Sequence, residues 1–417
     1  MIRLFALALC VSVQSGTQQE DKVKRKLEGP LAGLPSAAGP HIEKIRALGD
    51  NAWLNLGSPA PDPKWGKARG RSWSSRMPYA PDVRGAFLNG QGVHGFVKPD
   101  GYYMDDVFFY DVNAHRWICV YPGTDTRTIA AKFKSGEYKP NDDGQVVDKQ
   151  GHPVPVLMVT GHSYGWHTYD TDRRTYVTLG GPGPEGWLGN SYDTPCFKEV
   201  QKHLPSPKGK DRVTGSPFFF DLASGRFQRY PIGRPHTYDF NSILLYLPTK
   251  KALWLSNRSQ TLMYDVATHQ GWSELKASGP APDAYDTVAC YDGKRDRIYV
   301  RSHVYDVKTN SWSVARHSGN VPRAYDHNAA CMHYDSVNDQ VVHVVFNNGS
   351  DPAAIKRGIF VLDPDTGAWT DGPLSVGGQT WNGFYSPELN AHFFHVATDS
   401  TGDGVVWVYR YRKARKK

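Results

Sequence analysis

The chain has 417 residues, 12% of them aromatic, with 41 Gly and 29 Pro, a composition that suits one large domain of stacked sheets joined by many turns. No apolar run approaches the ~18 residues a spanning helix needs, so a helical membrane protein is excluded. The formal charge of +8 sits mostly at the ends, with Arg3 in the leading segment and six cations in the closing RYRKARKK; the nearly neutral body argues against a nucleic-acid groove.

Residues 1–15 read as a secretory signal. Arg3 supplies the positive end, LFALALCVSV the apolar core and Val13-Gln14-Ser15 a small-residue cleavage pattern before Gly16. Secretion or export to a periplasmic or extracellular space is therefore expected. Residues 16–50 pass from the charged EDKVKRKLE to the Pro/Gly-rich PLAGLPSAAGP, which predicts a flexible leader with a short helix at HIEKIRAL. NAWLNLG, at 51–57, is an isolated strand signal with Trp53 in it.

From residue 83 onward one unit recurs. DAYDTVACYDGKRDRIYVRSHVYDVKTNSWSVAR, from Asp283 to Arg316, reads as four short strands with polar turns. A sheet that small cannot bury both faces alone and needs neighbours of its kind. Its second half recurs as FFYDVNAHRW, FFFDLASGRF, LMYDVATHQGW and FVLDPDTGAW. Asp111, Asp221, Asp265, Asp306 and Asp363 then open tight turns, where a carboxylate accepts hydrogen bonds from the turn's own N–H groups. Trp117, Phe227, Trp272, Trp312 and Trp369 would fill the gaps between successive sheets.

Copies spaced roughly forty residues apart, each four strands long, predict an all-β, six-bladed β-propeller of antiparallel blades. The blades are placed at about 83–123, 161–232, 236–277, 283–316, 323–375 and 380–411. The last copy stops after its third strand, so residues 51–57 should complete it and close the ring, making 51–411 one domain before the basic tail 412–417. A hairpin around GQVVDKQGHPVPVLMV leaves a seventh blade possible.

Three long inserts interrupt the pattern, at 58–82, 124–160 and 181–213. Blade-to-blade links and links between second and third strands emerge at one end of a propeller, so all three should crowd one mouth of the channel. Trp65, Trp73, Tyr79, Trp187 and Tyr192 within them suit an ordered binding wall. The starts of the innermost strands would line the same mouth with Arg84, His162, Tyr164, His236, Tyr238, Asp239, Tyr285, Asp286, Arg323, Tyr325, Asp326, His327, Trp381 and Asn382. Converging carboxylates, imidazoles and guanidiniums are what a polar ligand or a proton-transfer site uses. The bland alternative is that they tie adjacent blades together or hold channel water.

His94, His343 and His395 occupy matching second-strand positions, where packing between sheets explains them better than metal binding. Cys119, Cys196, Cys290 and Cys331 show no metal spacing and read as buried free thiols. No metal and no cofactor is called for. Asn257-Arg-Ser259 and Asn348-Gly-Ser350 are glycosylation sequons only in a eukaryotic secretory route.

The Tyr-Asp turns followed by Trp, as in VYDVKTNSW, together with Pro-Arg before an inner strand in VPRAYDHN, resemble kelch repeats of the galactose-oxidase-like propeller superfamily. The resemblance covers about 83–411, with the family's double glycine surviving only as Gly180-Gly181. The superfamily's copper site needs a Tyr followed directly by His, and this chain has no such pair. Two function classes remain. One is a secreted, monomeric binding module that holds a glycan or an extracellular protein at the mouth, with aromatic inserts for stacking. The resemblance also permits a polysaccharide lyase acting on an acidic glycan, with Arg323 or Arg84 neutralising a uronate and His162, His327 or Tyr164 moving the proton.

Overall fold

The repeated units fold as small antiparallel sheets arranged in a ring. The structure, a computed structural model, describes residues 26–412 except 73, 75, 91–94, 142–144, 159–162, 181–194, 204–215, 231–241, 258–259, 283–287, 302, 321–329, 347–357, 379 and 400, and without the side chains of 195–197, 201, 330, 380 and 381. The described residues form a six-bladed β-propeller.

Blade 1 orders Tyr79–Ala80, Gly85–Leu88, Val107–Asp111 and Arg116–Tyr121 from the axis outward, and blade 2 His167–Asp170, Thr175–Thr178, Phe218–Asp221 and Arg226–Gln228. Blade 3 holds Ile243–Leu247, Ala252–Asn257, Gln260–Asp265 and Trp272–Glu274; blade 4 holds Ala289–Asp292, Arg297–Val300, His303–Asp306 and Ser311–Val314. Blade 5 holds Ala330–Asp335, Gln340–Val345, Gly358–Leu362 and Ala368–Asp371, with Ser318–Gly319 added in parallel at its outer edge.

Blade 6 holds Thr380–Ser386, Ala391–Ala397 and Gly404–Arg410, and its fourth strand is Ala52–Gly57. That strand pairs antiparallel with the third, Trp53 opposite Tyr409 and Asn55 opposite Trp407. The Trp53 and Trp407 rings meet edge-on at 6.4 Å. The ring is thus closed by a strand from the other end of the chain. Within 124–160, Lys139–Pro140 pairs with Val146–Val147, and Val147 bridges Pro153 in the expected hairpin, but among the described residues these short pairings make no seventh blade.

The turn chemistry is the mechanical one expected. Asp221 accepts from the N–H groups of Ala223 and Ser224, Asp306 from those of Lys308 and Thr309, and Asp363 from those of Asp365 and Thr366. Asp111 and Asp265 do the same for Ala114 and Ala267. Each aromatic after these turns is buried against the preceding blade: Trp117 on blade 6, Phe227 on blade 1, Trp272 on blade 2, Trp312 on blade 3 and Trp369 on blade 4. Trp53 completes the series on blade 5. At roughly 25 cal/mol per Å², removing ~200 Å² of one such ring from water stabilises its interface by about 5 kcal/mol.

A second sixfold feature lies at the far end of the innermost strands. The last residue but one of each is a tyrosine, and the six are Tyr79, Tyr169, Tyr246, Tyr291, Tyr334 and Tyr385. Around them every blade boundary carries a side-chain latch. Tyr169 donates to Asp82 across boundary 1–2 at 2.7 Å, Tyr246 to Asp172 across 2–3 at 2.8 Å, and Thr249 to Asp296 across 3–4 at 2.9 Å. Arg295 donates to Asp339 across 4–5 at 2.7 Å, Tyr385 to Asp335 across 5–6 at 2.7 Å, and Tyr79 to Glu388 across 6–1 at 2.8 Å. Burial pushes all six phenols above their ordinary pKa, so they remain donors.

The segment expected to be a flexible leader is, from residue 26, built into the domain. The helix forms at His41–Ala47, and Leu27, Leu31, Ile42 and Ile45 are buried against blades 1 and 2 or blades 1 and 6. These four apolar side chains, with Leu34 and Leu48 packed beside them, dock it, and Ser36 and Asn113 add hydrogen bonds.

His343 and His395 are packed between sheets, as expected, beside Trp369 and Trp117; His94 lies outside the described residues. Burial lowers both imidazoles to about 3, so they fold neutral. Such a histidine is protonated more readily in the unfolded chain, so its contribution to stability is present above about pH 6.5 and is lost as pH falls from there toward 3. Replacing His343 by Leu should therefore flatten the acid limb of stability against pH by about 1.4 kcal/mol per pH unit between roughly 6 and 4. Urea unfolding across that range measures the slope, and an unchanged slope contradicts a neutral, buried His343.

Candidate functional site

The innermost strand of each blade starts at the end where the inter-blade links arrive and runs toward the tyrosines. In blade 1 that course begins earlier than the sequence suggested. Ser74 bridges Tyr164 of blade 2 and Arg76 bridges Gly383 of blade 6, both in parallel, and Met77 N–H donates to Gly383 at 2.8 Å. Ser74 and residues 76–80 are therefore channel wall, and the first insert is shorter than 58–82. Arg84 is displaced accordingly. It ends the turn after the innermost strand, exposed and with φ +51°, at the tyrosine end rather than the mouth. Arg174, Lys251, Asp296, Asp339 and Asn390 hold the same left-handed position in the other blades. Tyr79, expected in a binding wall, is likewise a latch.

The corrected register puts Arg76 in the channel. Its guanidinium reaches across to donate to the carbonyls of Leu244 in blade 3 at 2.9 Å and Ala289 in blade 4 at 3.3 Å. Cys290 and Cys331 face it from blades 4 and 5, and its charge is felt at His167 in blade 2 and His333 in blade 5. Burial holds Arg76 down to about 10. Burial also pushes both thiols up and both imidazoles down, so these four neighbours are neutral. Cys119, Cys290 and Cys331 are free and buried, as expected.

Near the mouth, Asn382 is fully buried and donates its amide to the Ser74 carbonyl, while its Oδ1 has no partner among the described residues. Tyr164 is also fully buried, so its ring does not line the mouth. His167 links Thr178 at 3.0 Å to the Ser74 hydroxyl at 3.4 Å, and burial lowers it to about 3. Trp381 lies in the innermost strand of blade 6, opposite Val396. His162, His236, Tyr238, Asp239, Tyr285, Asp286, Arg323, Tyr325, Asp326, His327, Trp187 and Tyr192 lie outside the described residues.

The inserts meet at this end, around a segment the sequence did not single out. The described residues of 89–106, between the second and third strands of blade 1, touch the first two and share a core with the third. Asp106 pairs with Arg71 of the first insert and, at 2.8 Å, with Lys98. Trp65 meets Tyr102 edge-on at 5.2 Å. Asp105 accepts from Thr124 N–H at 2.7 Å, from the Thr124 hydroxyl at 2.8 Å and from Met158 N–H at 3.1 Å, clasping both ends of the second insert. Burial pushes the Asp105 carboxyl up to about 7 against the pull of these donors. Tyr103, Ile129, Phe133, Val146, Val156, Leu157 and Val200 form a core shared by the second and third inserts, with Phe133 stacked on His203 at 4.3 Å.

Arg76, Arg71, Lys98, Asp105 and Asp106 were missed because charges lying outside the repeated turn pattern read as solvated. The available signal was the tyrosine two or three residues before each first turn, which aligns RMPYAPD with TYDTD and CYDGK.

No protein-family profile matches the chain, and no curated protein matches it. Among solved structures it is similar to an auxiliary nutrient binding protein from Bacteroides ovatus, with a TM-score of 0.44 and 12% identity, over 87% of this chain and 75% of that one.

Changing Asp106 to Asn leaves Arg71 and Lys98 buried without their carboxylate, which should cost about 3–5 kcal/mol in urea unfolding. The exposed Lys67–Asp403 pair is the control, and Asp403→Asn should cost at most about 1 kcal/mol. Equal losses would contradict a buried cluster that holds the inserts.

Proposed function

We propose that the chain is an exported ligand-binding propeller, built of divergent kelch repeats, that takes a glycan at the insert-walled mouth of its channel. The observation that carries this is the set of contacts that the described residues of 58–72, 89–106 and 124–158 and the helix Pro195–His203 share at one end. Long segments that hold a core of their own on a rigid scaffold are where propellers and barrels place binding surfaces. The opposite end, by contrast, is a ring of short turns whose side chains are spent on latches. No helix among the described residues is long and apolar enough to cross a membrane, which is consistent with export. Protein partners and turnover of an acidic glycan are the competing outcomes.

A glycan array probed with the mature protein tests the reading, followed by hydrogen-exchange footprinting of any glycan that binds. Protection should fall on residues 58–73, 89–106 and 124–160, and Lys251→Ala at the turn end should leave affinity unchanged. Protection centred on the tyrosine-end turns, or an array with no bound glycan, would overturn it.

A further inference from the structure

Arg76 is a permanent cation whose described neighbours balance none of its charge. Two of its N–H groups are taken by the neutral carbonyls of Leu244 and Ala289, and Cys290, Cys331, His167 and His333 are uncharged for the reasons given above. A buried charge is costly to leave uncompensated. The residue as a whole is half-buried rather than fully enclosed. Since blades 2 to 6 surround it, the surface it retains opens on the channel. It lies two positions beyond Ser74 near the mouth, a descent of about 7 Å along a strand. A guanidinium presents five donors in a fork that fits an oxyanion.

We propose that Arg76 makes the floor of the channel mouth an oxyanion subsite, so that the glycan held there carries a carboxylate or a sulfate ester. This rests on the reading of the mouth as a glycan site, and it adds the chemical class of the ligand. Carboxylate and sulfate share the recognising chemistry, and separate probes distinguish them. The bound group would lie against the N–H donors of Arg76 that the two carbonyls leave over, with the inserts enclosing the remainder of the sugar.

The test is calorimetric titration of the full chain at low salt with glucuronate, glucose 6-sulfate and glucose. At least one charged sugar should bind ten-fold or more tightly than glucose, and that preference should vanish in Arg76→Gln and survive in part in Arg76→Lys. Equal affinity for all three sugars, or a preference undiminished in Arg76→Gln, overturns the proposal. Bromide soaked into crystals of the unaltered protein gives a readout that does not require a variant to fold: anomalous density beside Arg76 supports the subsite, and its absence there contradicts it. Array binding by neutral glycans that Arg76→Gln leaves unchanged would retain the glycan-binding reading and remove this one.

Discussion

The pairing of Ala52–Gly57 with Gly404–Arg410 is the constraint on which the rest of the molecule depends. Without it, blade 6 would end in a bare strand edge and blade 5 would lack the indole that covers it. With it, the two ends of the domain are held in one sheet. The pairing also fixes where the chain goes next. A strand at the outer edge of blade 6 must be followed by the innermost strand of blade 1, so the segment after Gly57 has to travel from rim to axis. It does so past the blade 1 edge, where Trp117 N–H donates to Ala60 at 2.8 Å, and past the buried Arg71–Asp106 pair. It arrives at Ser74 with Arg76 directed into the channel.

The two ends of the ring therefore differ in kind. At the tyrosine end, six short turns repeat one backbone conformation and spend their polar side chains on neighbouring blades. At the other end the repeats are interrupted, and the interruptions are ordered by buried charge and by an apolar core. A charge cluster such as Arg71, Lys98 and Asp106 adds little net stability compared with apolar packing, yet it specifies one arrangement, because any other leaves ions buried alone. Rigid turns at one end and specified loops at the other are what a ring needs to hold a ligand at one mouth.

Much of the fold was legible in the sequence because its cause is local and repeated. The five turn aspartates bond to N–H groups two or three residues away, and each following aromatic has an equivalent partner on the preceding blade. The closing strand was legible for a similar reason: blade 6 lacked a fourth strand, and NAWLNLG was an orphan. The register of blade 1 was not legible. Its innermost strand, Tyr79–Ala80, is short and follows a proline, and the residues before it, Ser74, Arg76 and Met77, bond to other blades, so it carries no alternation to read. Arg76 was lost with that register, since its partners are carbonyls of Leu244 and Ala289, more than 160 residues away. The docking of residues 26–50 was hidden by composition, because Gly and Pro are interspersed through a segment that a few scattered apolar side chains anchor.

Hydrogen exchange of the amides in Ala52–Gly57 tests the closure most directly. If the strand completes blade 6, these amides exchange as slowly as those of Gly404–Arg410 and lose protection together with them as denaturant is raised, as one cooperative unit does. Exchange of 52–57 at the rate of unstructured chain while 404–410 stays protected would contradict the closed ring, and with it the route that carries Arg76 into the channel.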